Sequence, residues 1–372
     1  MAGQAADAEA HRRNAAILRI LRSIGSAHSI RQLITLLARE TRIVLNCQRA
    51  SVFLYDPDEE ELWSLVAEGE SDEIRFPADT GVAGHVFETG QPLVIADVPS
   101  DPRFNPEIDA RTGFTTRQLI TAPIIGPGGE KVGVFQLVNR LEGDFDAGDL
   151  EFLEAIAGEA AVTIQNFQML ESRRRMFEGL VNALAESIES RDPLTAGHSY
   201  QVMLYSVEAA RELGLDSGQI ETIRYAALLH DYGKIGIPDS ILKKDGALSD
   251  DERAIIRTHV EHTERILSRI EFERGLRDVP RFAVEHHERL DGSGYPRGLT
   301  GEDISLGGRI IAVADVFESL TSQRHYRSPM PLPEALAIIR KGAGELFDRE
   351  VVKAFVRVLS RLGLAEEPEK KA

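Results

Sequence analysis

The chain holds a single cysteine, Cys47, which excludes an internal disulfide and a thiolate metal site. Flanked by Asn46 and Gln48 with no histidine nearby, Cys47 is expected to be an inert thiol. No run of eighteen apolar residues occurs, and the opening MAGQAADAEAHRRN lacks an apolar core, so neither a membrane span nor a secretory signal is predicted and a cytoplasmic location is expected. Basic residues are in deficit. Forty-three Lys and Arg against sixty Asp and Glu give a net charge of −17, which argues against binding nucleic-acid polymers. An anionic substrate would then need local positive charge, which bound metals can supply. Internal repeats and low-complexity tracts are also missing. At 372 residues the chain exceeds one typical core, so two or three domains are expected.

What the chain does have is histidine in a pattern. Seven of its ten histidines lie between His198 and His325, among them His198, the doublet His230-Asp231, His259 and the doublet His286-His287. Two such doublets and two isolated histidines within about ninety residues are hard to explain by packing and point to a multinuclear metallohydrolase. Asp315 lies in the apolar run Ile310-Ile311-Ala312-Val313-Ala314-Asp315-Val316-Phe317, where an unpaired carboxylate would be costly and metal coordination would compensate it. Adjacent side chains on a helix diverge by about 100°, so the doublets are expected at helix ends or facing different metals. Asp231, with two oxygens, suits a bridge between metals ~3.5–4 Å apart. His198, His230 and Asp315 would complete one metal; His259, His286 and His287 would complete the other. Seven side chains leave coordination positions for water and substrate, as a catalytic site requires. Imidazole and carboxylate without sulfur favour Fe or Mn over Zn or Mg.

Periodicity divides the chain. Ile17, Leu18, Ile20 and Leu21, then Leu33, Ile34, Leu36, Leu37 and Ile43, predict two helices broken around residues 24–29. Segments 50–55 and 62–67 flank Asp56-Pro57-Asp58 as one hairpin, and 119–125 and 132–138 enclose Gly126-Pro127-Gly128-Gly129 as a second. The first domain is therefore α/β, an antiparallel sheet with helices on one side. From Asp149 to Ser190 the pattern is helical. Leu153, Ala157, Ala160, Ile164 and Phe167, then Leu170, Phe177, Val181, Leu184 and Ile188, suggest a coiled-coil seam with a slip of phase near Gln168. Two helices meeting at a domain boundary are the alternative. Beyond Asp192-Pro193 all segments are helical in period, so the second domain is expected to be all-α.

Over residues 14–168 the chain resembles a GAF domain, a small sensory module. The resemblance rests on Gly81-Val82-Ala83-Gly84 leading into Gly90-Gln91-Pro92-Leu93-Val94-Ile95, on Asp101-Pro102-Arg103-Phe104, and on the hairpin before Asn139. Cyclic-nucleotide-binding members carry Asn-Lys, Phe and Asp-Glu in order. Asn139-Arg140, Phe145 and Asp149-Leu150 match in part, which implies a ligand pocket at Asn139, Arg140, Phe145 and Asp149; a packed scaffold used for dimerisation is the alternative.

Residues 176–363 resemble an HD-GYP domain, a family of bacterial cyclic di-GMP phosphodiesterases. The carriers are His230-Asp231-Tyr232-Gly233-Lys234-Ile235-Gly236-Ile237-Pro238 and His286-His287-Glu288-Arg289-Leu290-Asp291-Gly292-Ser293-Gly294-Tyr295-Pro296. Asp192 to Ser199 and Leu320 to Arg327 also fit in order. The resemblance implies that His198, His230, Asp231, His259, His286, His287 and Asp315 bind metal and that Lys234 contacts phosphate and serves catalysis with Asp231. Gly294, Tyr295 and Pro296 would shape a substrate loop, and Arg324 and Arg327 would fork onto phosphate oxygens. Some members hold a third metal through a carboxylate four residues before the first histidine; Leu194 stands there, so two metals are expected. Glu318 replaces the family's usual Asp and would lengthen an acid near the substrate. His262 and His325 are expected to be surface residues.

The implied activity is hydrolysis of cyclic di-GMP to linear pGpG, and to GMP if a second bond is cut, regulated by the GAF module. A non-catalytic cyclic dinucleotide receptor, or a hydrolase of cyclic GMP-AMP, are the alternatives. A homodimer through a connecting helix at 150–190 is expected, and residues 364–372 would be a solvated tail.

Overall fold

The structure is a computed structural model, and it describes residues 20, 27–65, 73–106, 109–110, 113–191, 197–244, 246–323 and 328–364. The predicted helix over Ile17 to Leu21, apart from Ile20, lies outside the described residues, as do Leu194, Arg324, His325, Arg327 and the tail 365–372. Contacts divide the chain into two compact units at Arg174/Arg175.

In the first unit, α1 (Ile30–Val44) starts at Ser29, whose hydroxyl accepts from Gln32 N and supplies a partner to a helix-end donor. The strands are β1 (Cys47–Asp56), β2 (Glu61–Leu65), β3 (Glu73–Pro77), β4 (Leu93–Ile95), β5 (Leu119–Ile125) and β6 (Lys131–Arg140), and α2 (Gly81–Thr89) lies between β3 and β4. Among the described residues they form one antiparallel sheet in the order β3-β2-β1-β6-β5-β4. Both expected hairpins are present, β1/β2 and β5/β6. Helices cover both faces, not one. Val52, Leu54, Phe135 and Leu137 pack with α1 and with the start of the helix that follows the sheet (Ala147–Glu189), while Phe53 and Val134 pack with Ala83, Val86 and Phe87 of α2. The alternation in β1 and β6 is apolar at both parities, as for strands buried on two sides, and α2 is the element that requires it.

Helix α3 (Ala147–Glu189) runs unbroken for 43 residues. The expected coiled-coil seam is corrected here. Leu153, Ala157, Ala160 and Ile164 are fully buried in the core of the first unit, and Val181 and Ile188 are buried within the second. Leu170, where the phase slips, is 61% exposed. The slip marks the point where the apolar stripe leaves one core before entering another. The exposed apolar residues of α3 include Val162, Met169 and Met176, spaced seven apart.

The second unit contains α4 (His198–Glu212), α5 (Ser217–Leu229), a 3-10 turn (Tyr232–Gly236), α6 (Asp250–Arg257), α7 (His259–Leu267), α8 (Val279–Val284), α9 (Leu306–Thr321), α10 (Leu332–Lys341) and α11 (Arg349–Arg361). A capping box of Asp216 and Gln219 starts α5 and another of Ser249 and Glu252 starts α6. Helix α4 packs against α5, α9 and α11 around Tyr225, Phe317 and Phe355. Between α6 and α7 the helix breaks at Thr258, which leaves His259 at a helix start.

Candidate metal centre

The second unit brings its histidines together by their positions at helix ends. His198 is the first residue of α4, His230 caps the end of α5, and Asp231 caps the start of the 3-10 turn. His259 opens α7, and His286 and His287 form a 3-10 turn directly after α8. Asp315 projects from the buried middle of α9.

Three imidazoles are fixed in the same way. Nδ1 of His230, His259 and His286 lies 2.7, 2.7 and 2.6 Å from the carbonyl oxygens of Ala227, Ile256 and Ala283, each three residues back. A carbonyl only accepts, so Nδ1 carries the proton and Nε2 presents its lone pair. Those three Nε2 atoms are buried without a hydrogen-bond partner. Orphaned buried acceptors are costly, and bound metal ions would satisfy them. His198 differs: its Nδ1 contacts the Glu318 carboxylate, and its Nε2 lies 3.4 Å from Asp315 Oδ1.

The side chains fall into two groups whose ligand atoms lie within 4.8 Å of one another: His198, His230 and Asp315; and Asp231, His259, His286 and His287. Asp231 faces both. Its Oδ1 is 3.2 Å from His259 Nε2, while its Oδ2 is 3.4 Å from His230 Nε2 and 3.6 Å from His198 Nε2. Lys234 Nζ donates to that same Oδ2, because residues three apart eclipse on a 3-10 turn. Burial pushes the Asp231 carboxyl up, but Lys234, His230 and His198 hold it well below the usual range. Burial, then the neighbouring His230, lowers His286 to about 3, and burial with His286 beside it holds His287 well below its ordinary value. Both rings are therefore neutral near pH 7, the form that ligates.

Residues 29–164 match the model of the GAF domain and residues 182–351 that of an HD domain. The chain is a GAF domain followed by an HD domain. It is similar to a 3'3'-cGAMP-specific phosphodiesterase 3 of Vibrio cholerae, at 40% identity over 50% of this chain and 40% of that one. It is 44% identical to a cyclic di-GMP phosphodiesterase of Thermotoga maritima over 46% of each chain. To the cyclic di-GMP phosphodiesterase response regulator RpfG of Xanthomonas campestris it is 41% identical, over 49% of this chain and 48% of that one. The match thus spans less than half the length of each of these relatives.

In the HD domain, Gly294, Tyr295 and Pro296 lie beside the second histidine group. A Cβ on Gly294 would sit 2.4 Å from Arg289 N, so only glycine allows the close approach that lays the Tyr295 ring 4.6 Å from that of His287. Arg257 sits 5.0 Å from the Tyr295 ring centroid. Glu288 straps the loop, accepting from Arg297 N at 2.8 Å and Leu299 N at 2.9 Å. Glu318 is corrected. It is buried behind His198, on Nδ1, where it orients the ring and adds basicity to Nε2 instead of reaching toward substrate. His262 is only partly exposed and accepts from Arg265 at 2.7 Å.

Sequence reasoning missed Thr263. Its buried hydroxyl accepts from Gly233 N at 2.9 Å and donates to His230 O at 3.2 Å, pinning α7 to the turn that carries Asp231. A threonine four residues past a histidine, opposite a glycine between two ligating positions, was the available signal.

In the GAF domain the expected pocket residues are corrected as well. Asn139 Oδ1 accepts from Arg117 N and its Nδ2 donates to Thr115 O, while Arg140 pairs with the fully buried Asp149 and Phe145 sits in the core. The four lock a loop. A cavity of about 100 Å³ in this domain is lined instead by residues that include Arg49, Phe53, Phe76, Phe104, Asp109 and Phe114.

Proposed function

We propose that the HD domain hydrolyses cyclic di-GMP to linear pGpG, and to GMP on a second cut, with two divalent metals, Fe or Mn before Zn or Mg. The observation that carries this is Asp231, one carboxylate whose two oxygens address two separate groups of buried imidazoles. His198, His230 and Asp315 would hold one metal, His259, His286 and His287 the other, and Asp231 both. Such a pair supplies an acidified water and positive charge at phosphorus. Lys234, freed from Asp231 Oδ2 on metal binding, would offset charge on a non-bridging oxygen. Tyr295 offers its ring to a guanine, and Arg324 and Arg327 would hold the second phosphate. Asp231→Ala in the Mn-loaded full chain tests the reading: linear product should vanish, and turnover persisting would refute it.

A second reading, cyclic GMP-AMP as substrate, is favoured by the relative named as specific for it. Parallel assays of both dinucleotides separate the two. Residues 14–168 would act as the sensory domain, with a small ligand in the cavity beside Arg49 instead of at Asn139. The domain limits of 150–190 for the connecting helix, 176–363 for the hydrolase and 364–372 for the tail complete the assignment. The proposed place of action is the cytoplasm; among the described residues no helix is long and apolar enough to cross a membrane. A parallel homodimer would form along α3 through Val162, Met169 and Met176, whose seven-residue spacing suits a coiled-coil seam.

A further inference from the structure

The end of α3 touches two of the elements that build the metal centre. The residue before helix α4 is Gly197, which has no side chain to cap it, and that role falls to Glu189, the last residue of α3. Glu189 Oε2 accepts from Gly197 N at 2.7 Å and Oε1 from Ser199 N at 2.6 Å, so the carboxylate brackets His198 on both sides. A carboxylate there satisfies free helix-end N–H groups and opposes their partial positive charge.

Two residues on, the Arg191 guanidinium does the reverse at the end of the 3-10 turn. Its Nη1 donates to Lys234 O at 3.2 Å and Ile235 O at 2.8 Å, and its Nη2 to Ile237 O at 3.1 Å and to the Asp239 carboxylate. That turn carries Lys234 and starts at Asp231. Ile188 and Glu189 also line, with His198, Asp231 and Lys234, a cleft of about 10 Å³. None of these bonds is needed to close a core. All of them tie one short segment to the backbone beside His198 and Lys234.

We propose that Glu189 and Arg191 are positioning residues, and that the end of α3 sets the spacing of His198 and Lys234 across Asp231. The inference rests on the reading of the seven residues as a two-metal centre. Without Glu189 the first turn of α4 frays and His198 loses its register with Asp231 and Asp315. The group of His259, His286 and His287, which stands on α7 and the 3-10 turn after α8, keeps its geometry. Without Arg191 the imidazoles stay, and Lys234 loses its place.

Mn(II) titration of the full chain, followed by electron paramagnetic resonance, tests this, with Glu189→Ala, Glu189→Gln and Arg191→Ala beside the unmodified protein. Unmodified protein should bind two Mn(II). In Glu189→Ala one site should weaken about 10–100-fold, the scale for losing a partner that orients a ligand, while the other is unchanged. Glu189→Gln, which keeps one acceptor oxygen, should fall between and guards against a variant that does not fold. Arg191→Ala should keep both Mn(II) and lose turnover. Equal weakening of both sites, or a lower melting temperature with both sites intact, would overturn the proposal for Glu189. Arg191→Ala with full turnover would overturn it for Arg191. Two Mn(II) bound without hydrolysis of cyclic di-GMP would sink the hydrolase reading and the role of Arg191 with it, and leave the positioning role of Glu189 standing; fewer than two in the unmodified protein would overturn both.

Discussion

An alanine at position 233 would place its Cβ 1.9 Å from the His259 carbonyl oxygen and 2.4 Å from Thr263 N, both backbone atoms. The first distance is about 1.5 Å short of the 3.4 Å at which ordinary contact begins. No rotamer change relieves a clash with backbone, so the 3-10 turn and α7 must separate. Overpacking of this kind typically costs about 1–3 kcal/mol, and the Gly233 N to Thr263 Oγ1 bond lost with it adds about 1 kcal/mol. The same separation pulls His259 Nε2 away from Asp231 Oδ1, now 3.2 Å apart. Urea unfolding of Gly233→Ala should therefore show the HD-domain transition lowered by about 2–4 kcal/mol, and Mn(II) titration a loss of affinity of about tenfold or more. Gly158→Ala is the control: nothing lies within 4 Å of the added methyl on α3, and it should stabilise by about 0.5–1 kcal/mol. Gly233→Ala with unchanged unfolding and unchanged metal affinity would refute the claim that this close approach builds the centre.

Four further outcomes concern Cys47, the exposed face of α3 and Glu318. Burial pushes the Cys47 thiol up to about 12, against a partial opposing pull from Arg42, so a thiol reagent at pH 8 should label Cys47 only after unfolding. Because the folded state holds that proton longer than the unfolded one, Cys47 should cost stability as pH rises from about 9 toward 12, read as a falling melting temperature that Cys47→Ala lessens. The chain is expected to sediment as the proposed dimer at micromolar concentration, and Met169→Glu with Met176→Glu as a monomer with unchanged far-ultraviolet circular dichroism; a dimer that survives both charges would remove the seam. Glu318→Ala should weaken metal binding about 10–100-fold by releasing the His198 ring, and unchanged affinity would remove Glu318 from the centre.

Much of the architecture was legible because it is written in local signals. The turns Asp56-Pro57-Asp58 and Gly126 to Gly129 announce their hairpins, and the doublets His230-Asp231 and His286-His287 stand at helix ends, as divergence of adjacent side chains requires. Periodicity names a buried face without naming what covers it. The stripe from Leu153 to Ile164 therefore reads like a seam for a second chain, while the sheet of its own domain buries it, and the second apolar parity of β1 and β6 carries no sign that α2 fills it. Separation along the chain is silent on direction, so the sequence does not show that Glu318 on α9 points to His198 Nδ1. Asn139, Arg140 and Asp149 carry the polar chemistry of a pocket, yet each is consumed by a backbone bond or ion pair inside the domain. Glu189 and Arg191 have no motif at all. Their importance lies in backbone groups they meet across residues 192–196, which side-chain spacing does not encode.

The measurement that bears most directly on the central claim is metal content and product on the same sample. Full-length protein loaded anaerobically with Fe(II) or Mn(II) is assayed for bound metal and then given cyclic di-GMP. Two metals per chain and release of linear pGpG are expected, with both lost in Asp231→Ala. Stoichiometric metal with no linear product from cyclic di-GMP would contradict it.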